Sequence, residues 1–122
     1  MISHISFLQK ARALLIELVG KEIIKDTLDE IFSQLHIVFK SGLILYIRYN
    51  EYKEYGYQII FSTEKNDFSR FDNFDDKWDV STKPHHHHIK GSDIVIASSM
   101  IGEPTHDIPL LVAYLKKEIK DL

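Results

Sequence analysis

The feature that most constrains the fold is a change in hydrophobic periodicity near Leu35. Beyond this residue apolar and polar side chains alternate, and β-branched and aromatic residues become frequent. This pattern is typical of half-buried β-strands. Ser41-Gly42 separates two of the alternating runs and is a hairpin-turn signal. We therefore predict four antiparallel strands between about Leu35 and Phe71.

Residues 1–35 have a different pattern, in which apolar residues recur at helical spacing. The predicted apolar positions are Leu8, Ala11, Leu15, Leu18, Ile24, Leu28, Ile31 and Leu35. Gly20 lies near the middle of this segment, and glycine in a helix costs about 1 kcal/mol relative to alanine. We therefore predict two helical pieces in this part of the chain.

After the strands, a polar stretch ending at Pro84 predicts a long loop over residues 72–84. Short strands are predicted over His85 to Ile89 and over Asp93 to Ser98. A closing helix over 107–121 is predicted with Asp107 as its N-cap. Because 122 residues suffice for one domain, we predict a single α+β domain over 1–122. Its antiparallel sheet of about five to six strands is packed by N-terminal helices and a C-terminal helix.

Composition removes several classes of chemistry. The chain has no cysteine, which excludes disulfides, thiolate zinc sites and cysteine nucleophiles. Its formal net charge is −3, so any contact with nucleic acid has to be local. No apolar run has the length of a signal peptide core or a bilayer span. We expect a soluble cytoplasmic protein that makes no membrane contact.

Four of the seven histidines are consecutive, from His85 to His88. In an extended segment His86 and His88 project from one face, while His85 and His87 project from the other. Two imidazoles on one face suit either a metal ion or a general acid and base pair working near neutral pH. A solvated loop is the alternative for each of these histidines taken alone.

A second polar constellation lies at Ser69 to Asn73. On a strand Arg70 and Asp72 point the same way, which predicts either a surface ion pair or a functional pair. In the functional interpretation Arg70 binds a phosphate and Asp72 orients a histidine through a ring N–H.

Other residues near these motifs have weaker assignments. Asn73, Trp78 and Lys90 are candidate substrate contacts, with Trp78 stacking on a base. A loop anchor packed on the sheet is the commoner role for a lone tryptophan. His106 is favoured as a surface or cap-region histidine and is a secondary candidate as a metal ligand.

Arg70-Phe71-Asp72-Asn73, a polar stretch, and then the histidine run next to Pro84 together resemble the TumE-type toxins. The resemblance covers about Tyr55 to Lys90. It implies the toxin component of a prokaryotic toxin–antitoxin pair, with a cognate antitoxin protein as partner.

Three functions follow as hypotheses. The leading one is a ribonuclease without a cofactor, in which His86 and His88 are acid and base, Arg70 holds the phosphate and Asp72 orients a histidine. The second is a phosphodiesterase in which His86 and His88, with Asp72 or His106, hold a divalent transition metal. The third is a non-enzymatic interaction domain. Homo-oligomerisation is compatible with all three.

Overall fold

A computed structural model describes residues 4–118 of the chain. These residues form two α-helices on one antiparallel sheet, in which each strand pairs with the next along the chain, in the order β1 to β7. The α+β prediction is confirmed, with seven strands among the described residues instead of five to six. None of the helices here is long and apolar enough to span a bilayer. The elements are α1 His4–Val19, a short 3-10 helix Gly20–Glu22, β1 Ile23–Asp29, β2 Gln34–Phe39, β3 Ile44–Tyr49, β4 Tyr55–Ile60, β5 Phe68–Asp72, β6 His86–His88, β7 Val95–Ala97 and α2 Pro104–Glu118.

The predicted second helical piece, within residues 1–35, is wrong. This segment forms edge strand β1, the turn after it and the start of β2. Asp29 accepts hydrogen bonds at Oδ1 from the amides of Ile31 and Phe32, which closes the turn. Ile24 is 62% exposed and Ile31 is 89% exposed, so the apparent helical stripe does not face the core. The segment forms a strand in spite of its helical apolar spacing because it pairs with β2, and the preference for a strand depends on such tertiary context.

The C-terminal elements lie close to their predicted positions. The long loop between β5 and β6 spans residues 73–85, and β6 and β7 fall within the two predicted short strands. Helix α2 begins at Pro104 instead of residue 107, because proline is favoured in the first turn of a helix. Asp107 is therefore not the N-cap, and it is buried inside the first turn. Residues 119–121 of the predicted helix lie outside the described part of the chain.

Both helices pack on one face of the sheet, where the core lies. Helix α1 contributes Leu8, Ala11, Leu15 and Val19, and α2 contributes Ile108, Leu111, Val112 and Leu115. The inward positions of β2 to β5 alternate with outward ones, as in Leu35, Ile37 and Phe39 on β2. The other face of the same strands therefore points away from the helices and is available for a site.

Candidate functional site

The face of the sheet that points away from the helices carries two adjacent rows of polar side chains. Directly opposite residues of antiparallel strands share a face, so the strand register defines both rows. The first row, from β2 to β6, is Gln34, Arg48, Gly56, Asp72 and His86. The second row is His36, Tyr46, Gln58, Arg70 and His88. We call these ten residues the polar face.

A cleft of about 640 Å³ lies over most of the polar face. The loop over residues 73–85 forms its wall through Phe74, Lys77 and Trp78. The Trp78 ring lies 5.6 Å from the His88 ring in an edge arrangement and 6.0 Å from the His86 ring. The candidate base-stacking residue named from the sequence is therefore next to both histidines.

The four candidate catalytic residues converge on the floor of the cleft, with Asp72 at the centre. Its Oδ2 accepts a hydrogen bond of 2.5 Å from Arg70 Nε and lies 3.6 Å from His88 Nε2. Its Oδ1 lies 2.7 Å from His86 Nε2. A guanidinium N–H of Arg70 also donates to His88 Nε2 at 3.2 Å. Sheet register produces this cluster, because Asp72 is opposite His86 and Arg70 is opposite His88.

The two histidines differ in access to the cleft. The His86 side chain is 2% exposed, and its Nδ1 donates to the Pro84 carbonyl at 2.8 Å. The His88 side chain is 17% exposed, and its Nε2 accepts the hydrogen bond from Arg70. Burial, followed by the charge of Arg70, lowers the pKa of His88. His88 is therefore a neutral imidazole near pH 7 with its lone pair at the cleft floor.

The same cluster has the donor set of a transition-metal site. Asp72, His86 and His88 each offer a ligand atom, and these atoms lie within 4.8 Å of one another. Asp72 Oδ1 is buried and, among the described residues, accepts no aligned hydrogen bond despite its short distance to His86. The Arg70 guanidinium contacts the other carboxylate oxygen and His88 Nε2, so it brings positive charge to the space where a metal ion would bind.

Three other residues proposed from the sequence lie away from the cleft. Asn73 bonds main-chain groups at the start of β4 and in the β3–β4 turn. Lys90 forms an ion pair of 3.0 Å with Asp67. His106 Nδ1 lies 2.7 Å from Asp107 Oδ1, at the first turn of α2, and does not belong to the ligand cluster.

Sequence reasoning did not assign Tyr46, Arg48, Gln58 or Lys77 to the site, yet all four line the cleft. Alternation along β3 places Tyr46 and Arg48 on one face, so the sequence did indicate that these two side chains lie together. The missing information was the pairing of β3 with β4 and of β4 with β5, which brings that face level with Arg70 and Asp72.

His87 lies on the opposite face of β6 from His86 and His88, and its side chain packs against the core. Its ring stacks on Phe71 at 3.9 Å, and Nε2 lies 2.7 Å from Ser69 Oγ. The Ser69 hydroxyl also donates to the His88 carbonyl at 3.1 Å. Burial lowers the pKa of His87 to about 4. A neutral ring is therefore part of the folded structure.

We expect acid to destabilise the protein through His87. This ring titrates near pH 6.5 when unfolded and near pH 4 when folded, so the unfolded chain binds more protons between these values. The free energy of unfolding should fall as the pH drops from about 6.5 to about 4. Thermal unfolding followed by circular dichroism measures this fall. His87→Gln should show a smaller fall, and an equal fall in both proteins would contradict the assignment.

Comparisons with known proteins add one finding. A family model described as toxin TumE matches residues 12–119, which is nearly the whole chain. No curated protein and no solved structure matches the chain significantly.

Proposed function

The chain belongs to the TumE toxin family, and from that premise we propose that it acts as a toxin by cleaving RNA in the cleft. One observation carries the proposal: a neutral imidazole, an arginine and a buried carboxylate converge on the floor of a cleft. We further propose a cognate antitoxin protein as its partner. Co-expression with the product of a neighbouring gene should relieve growth inhibition, and inhibition that persists would contradict this pairing.

A phosphodiester fits the charge of the cleft better than a neutral substrate does. Three cations, Arg48, Arg70 and Lys77, line the cleft together with two carboxylates, Asp72 and Asp75, although the chain as a whole carries a net charge of −3. Asp72 is paired with Arg70 and Asp75 with Lys77, so Arg48 is the cation of the lining without a carboxylate partner among the described residues. Arg70 is 40% exposed and retains N–H groups that can donate to phosphate oxygens.

The proposed step is attack of an RNA 2′-hydroxyl oxygen on the adjacent phosphorus. His88 Nε2 takes the 2′-hydroxyl proton as the substrate phosphate draws the Arg70 guanidinium away from it. The bond from phosphorus to the 5′ oxygen breaks, and that oxygen takes a proton from solvent at the open side of the cleft. The products are a 2′,3′-cyclic phosphate and a 5′-hydroxyl. Arg70 offsets the charge that develops on the phosphate oxygens.

His86 and Asp72 act in this scheme as positioning residues. His86 is held by the Pro84 carbonyl on one side and lies against Asp72 on the other, so neither ring nitrogen faces the cleft freely. Asp72 in turn orients Arg70. In place of the acid and base pair predicted from the sequence, this scheme has one base, His88. His86 acts indirectly, through its contact with Asp72, which in turn orients Arg70.

The test compares a single-stranded RNA with its all-deoxy counterpart in buffer containing EDTA. We expect cleavage of the RNA alone, because DNA has no 2′-hydroxyl, with cyclic phosphate ends identified by mass spectrometry. Cleavage of both substrates would contradict the 2′-oxygen mechanism. Growth inhibition by a protein that cleaves no RNA would instead favour a non-enzymatic interaction domain.

A metal-dependent phosphodiesterase is the second candidate, favoured by the ligand atoms of Asp72, His86 and His88 and by the unbonded Asp72 Oδ1. A bound divalent ion there would supply Lewis acid chemistry. Elemental analysis of untagged protein, purified without a nickel column, separates the two candidates. One equivalent of metal and loss of cleavage in EDTA would replace the first proposal with this one.

A further inference from the structure

The end of the cleft opposite the histidines contains a second group of residues suited to a nucleotide. Tyr46 and Arg48 are on β3, and both line the cleft. One strand, β4, separates β3 from β5, so the backbones at Tyr46 and Arg70 are about 10 Å apart. A substrate that reaches from one to the other has to cross the sheet at right angles to its strands.

Tyr46 offers a supported aromatic surface. One face of its ring stacks on His36, with 4.8 Å between ring centroids and 9° between planes. The remainder of the Tyr46 ring borders the cleft. His36 Nε2 is buried and has no hydrogen-bond partner among the described residues, so the imidazole is held there without a polar contact at this nitrogen. Aromatic rings in this setting stack with nucleobases regardless of base identity.

Arg48 offers an unpaired guanidinium beside that ring. It is exposed and forms no ion pair within residues 4–118, unlike Arg12 and Arg70. Gly56, on β4, is directly opposite Arg48 on β3 and Asp72 on β5, so it lies between these two residues in the row. The Phe74 ring packs on this glycine, with Cε2 3.4 Å from the place of a Cβ atom. A substrate strand that reaches β3 therefore passes beside Phe74, over Gln58, which lines the cleft and is opposite both Arg70 and Tyr46.

We propose that Tyr46 and Arg48 form a second nucleotide subsite, at which a base stacks on Tyr46 and its phosphate binds Arg48. The substrate is single-stranded RNA that crosses the polar face from His88 to β3. Paired bases remain stacked within a duplex and are not free to lie on Tyr46. This inference rests on the proposed ribonuclease function.

The test uses one dinucleotide and one single-stranded hexanucleotide that contains the same cleavable step. Wild-type protein should have a higher kcat/KM on the hexanucleotide, and Arg48→Ala or Tyr46→Ala should lower that preference about tenfold or more. Tyr46→Phe should retain it, since the ring remains. Arg12→Ala is the matched control, because it removes one exposed arginine from α1, and it should keep the wild-type preference.

Two failures are distinguishable. If wild-type protein cleaves neither substrate, the ribonuclease function is wrong. If it cleaves both and Arg48→Ala retains the hexanucleotide preference, only the subsite is wrong. Fluorescence anisotropy with an uncleavable 2′-O-methyl hexanucleotide tests the subsite without turnover, and equal affinity of wild type, Arg48→Ala and Tyr46→Ala would overturn it.

Discussion

Replacing His88 with alanine is expected to lower RNA cleavage about 10²- to 10⁴-fold, the range typical of a lost general base. The change removes the neutral imidazole whose Nε2 accepts from Arg70 at the cleft floor. The Asp72 contacts with Arg70 and His86 do not depend on this ring, so the fold should persist. Initial rates on single-stranded RNA, with circular dichroism of the same samples, measure both expectations.

His85→Ala is the matched control, since it removes a histidine from the same run. His85 lies outside the cleft, where its Nδ1 is 2.9 Å from the Tyr55 hydroxyl. Cleavage by His85→Ala should remain within a few fold of wild type. If folded His88→Ala protein cleaved RNA at the wild-type rate, another residue would have to be the base.

Replacing Asp107 with alanine is expected to cost about 3 to 5 kcal/mol of unfolding free energy, because each buried donor left without its acceptor costs about 1 to 3 kcal/mol. Asp107 is fully buried in α2. It accepts hydrogen bonds from the Tyr57 hydroxyl at 2.7 Å and from the amides of Ile101 at 3.0 Å and Gly102 at 2.7 Å. Alanine leaves all three donors without this acceptor. Urea denaturation followed by fluorescence measures the loss.

Asp93→Ala is the control for this change, because Asp93 is an exposed carboxylate in the turn before β7. Its unfolding free energy should differ from wild type by about 0.5 kcal/mol or less. A loss below about 1 kcal/mol for Asp107→Ala would show that the network contributes little to stability. Neither change touches the cleft, so any folded fraction should keep its specific activity.

Part of the candidate site was predictable because strand geometry is local. Side chains two residues apart on a strand share a face, which placed His86 with His88 and Arg70 with Asp72. The same rule assigned His87 to the opposite face. The error in residues 1–35 has a related cause. Ile24, Leu28 and Ile31 fit helical spacing, but Ile24 and Leu28 lie in edge strand β1, whose structure is set by its pairing with β2.

The sequence by itself determined the alternation of β2 to β5, the common face of His86 and His88, and the chemistry open to a chain without cysteine. Tertiary structure decided that Asp72 is opposite His86, that His86 is buried while His88 reaches the cleft, and that Tyr46 lies level with Arg70. These facts depend on register and burial across strands joined by long or irregular loops. Local preferences along one chain segment contain no information about which distant segment pairs with it, because that choice follows from the free energy of the whole core.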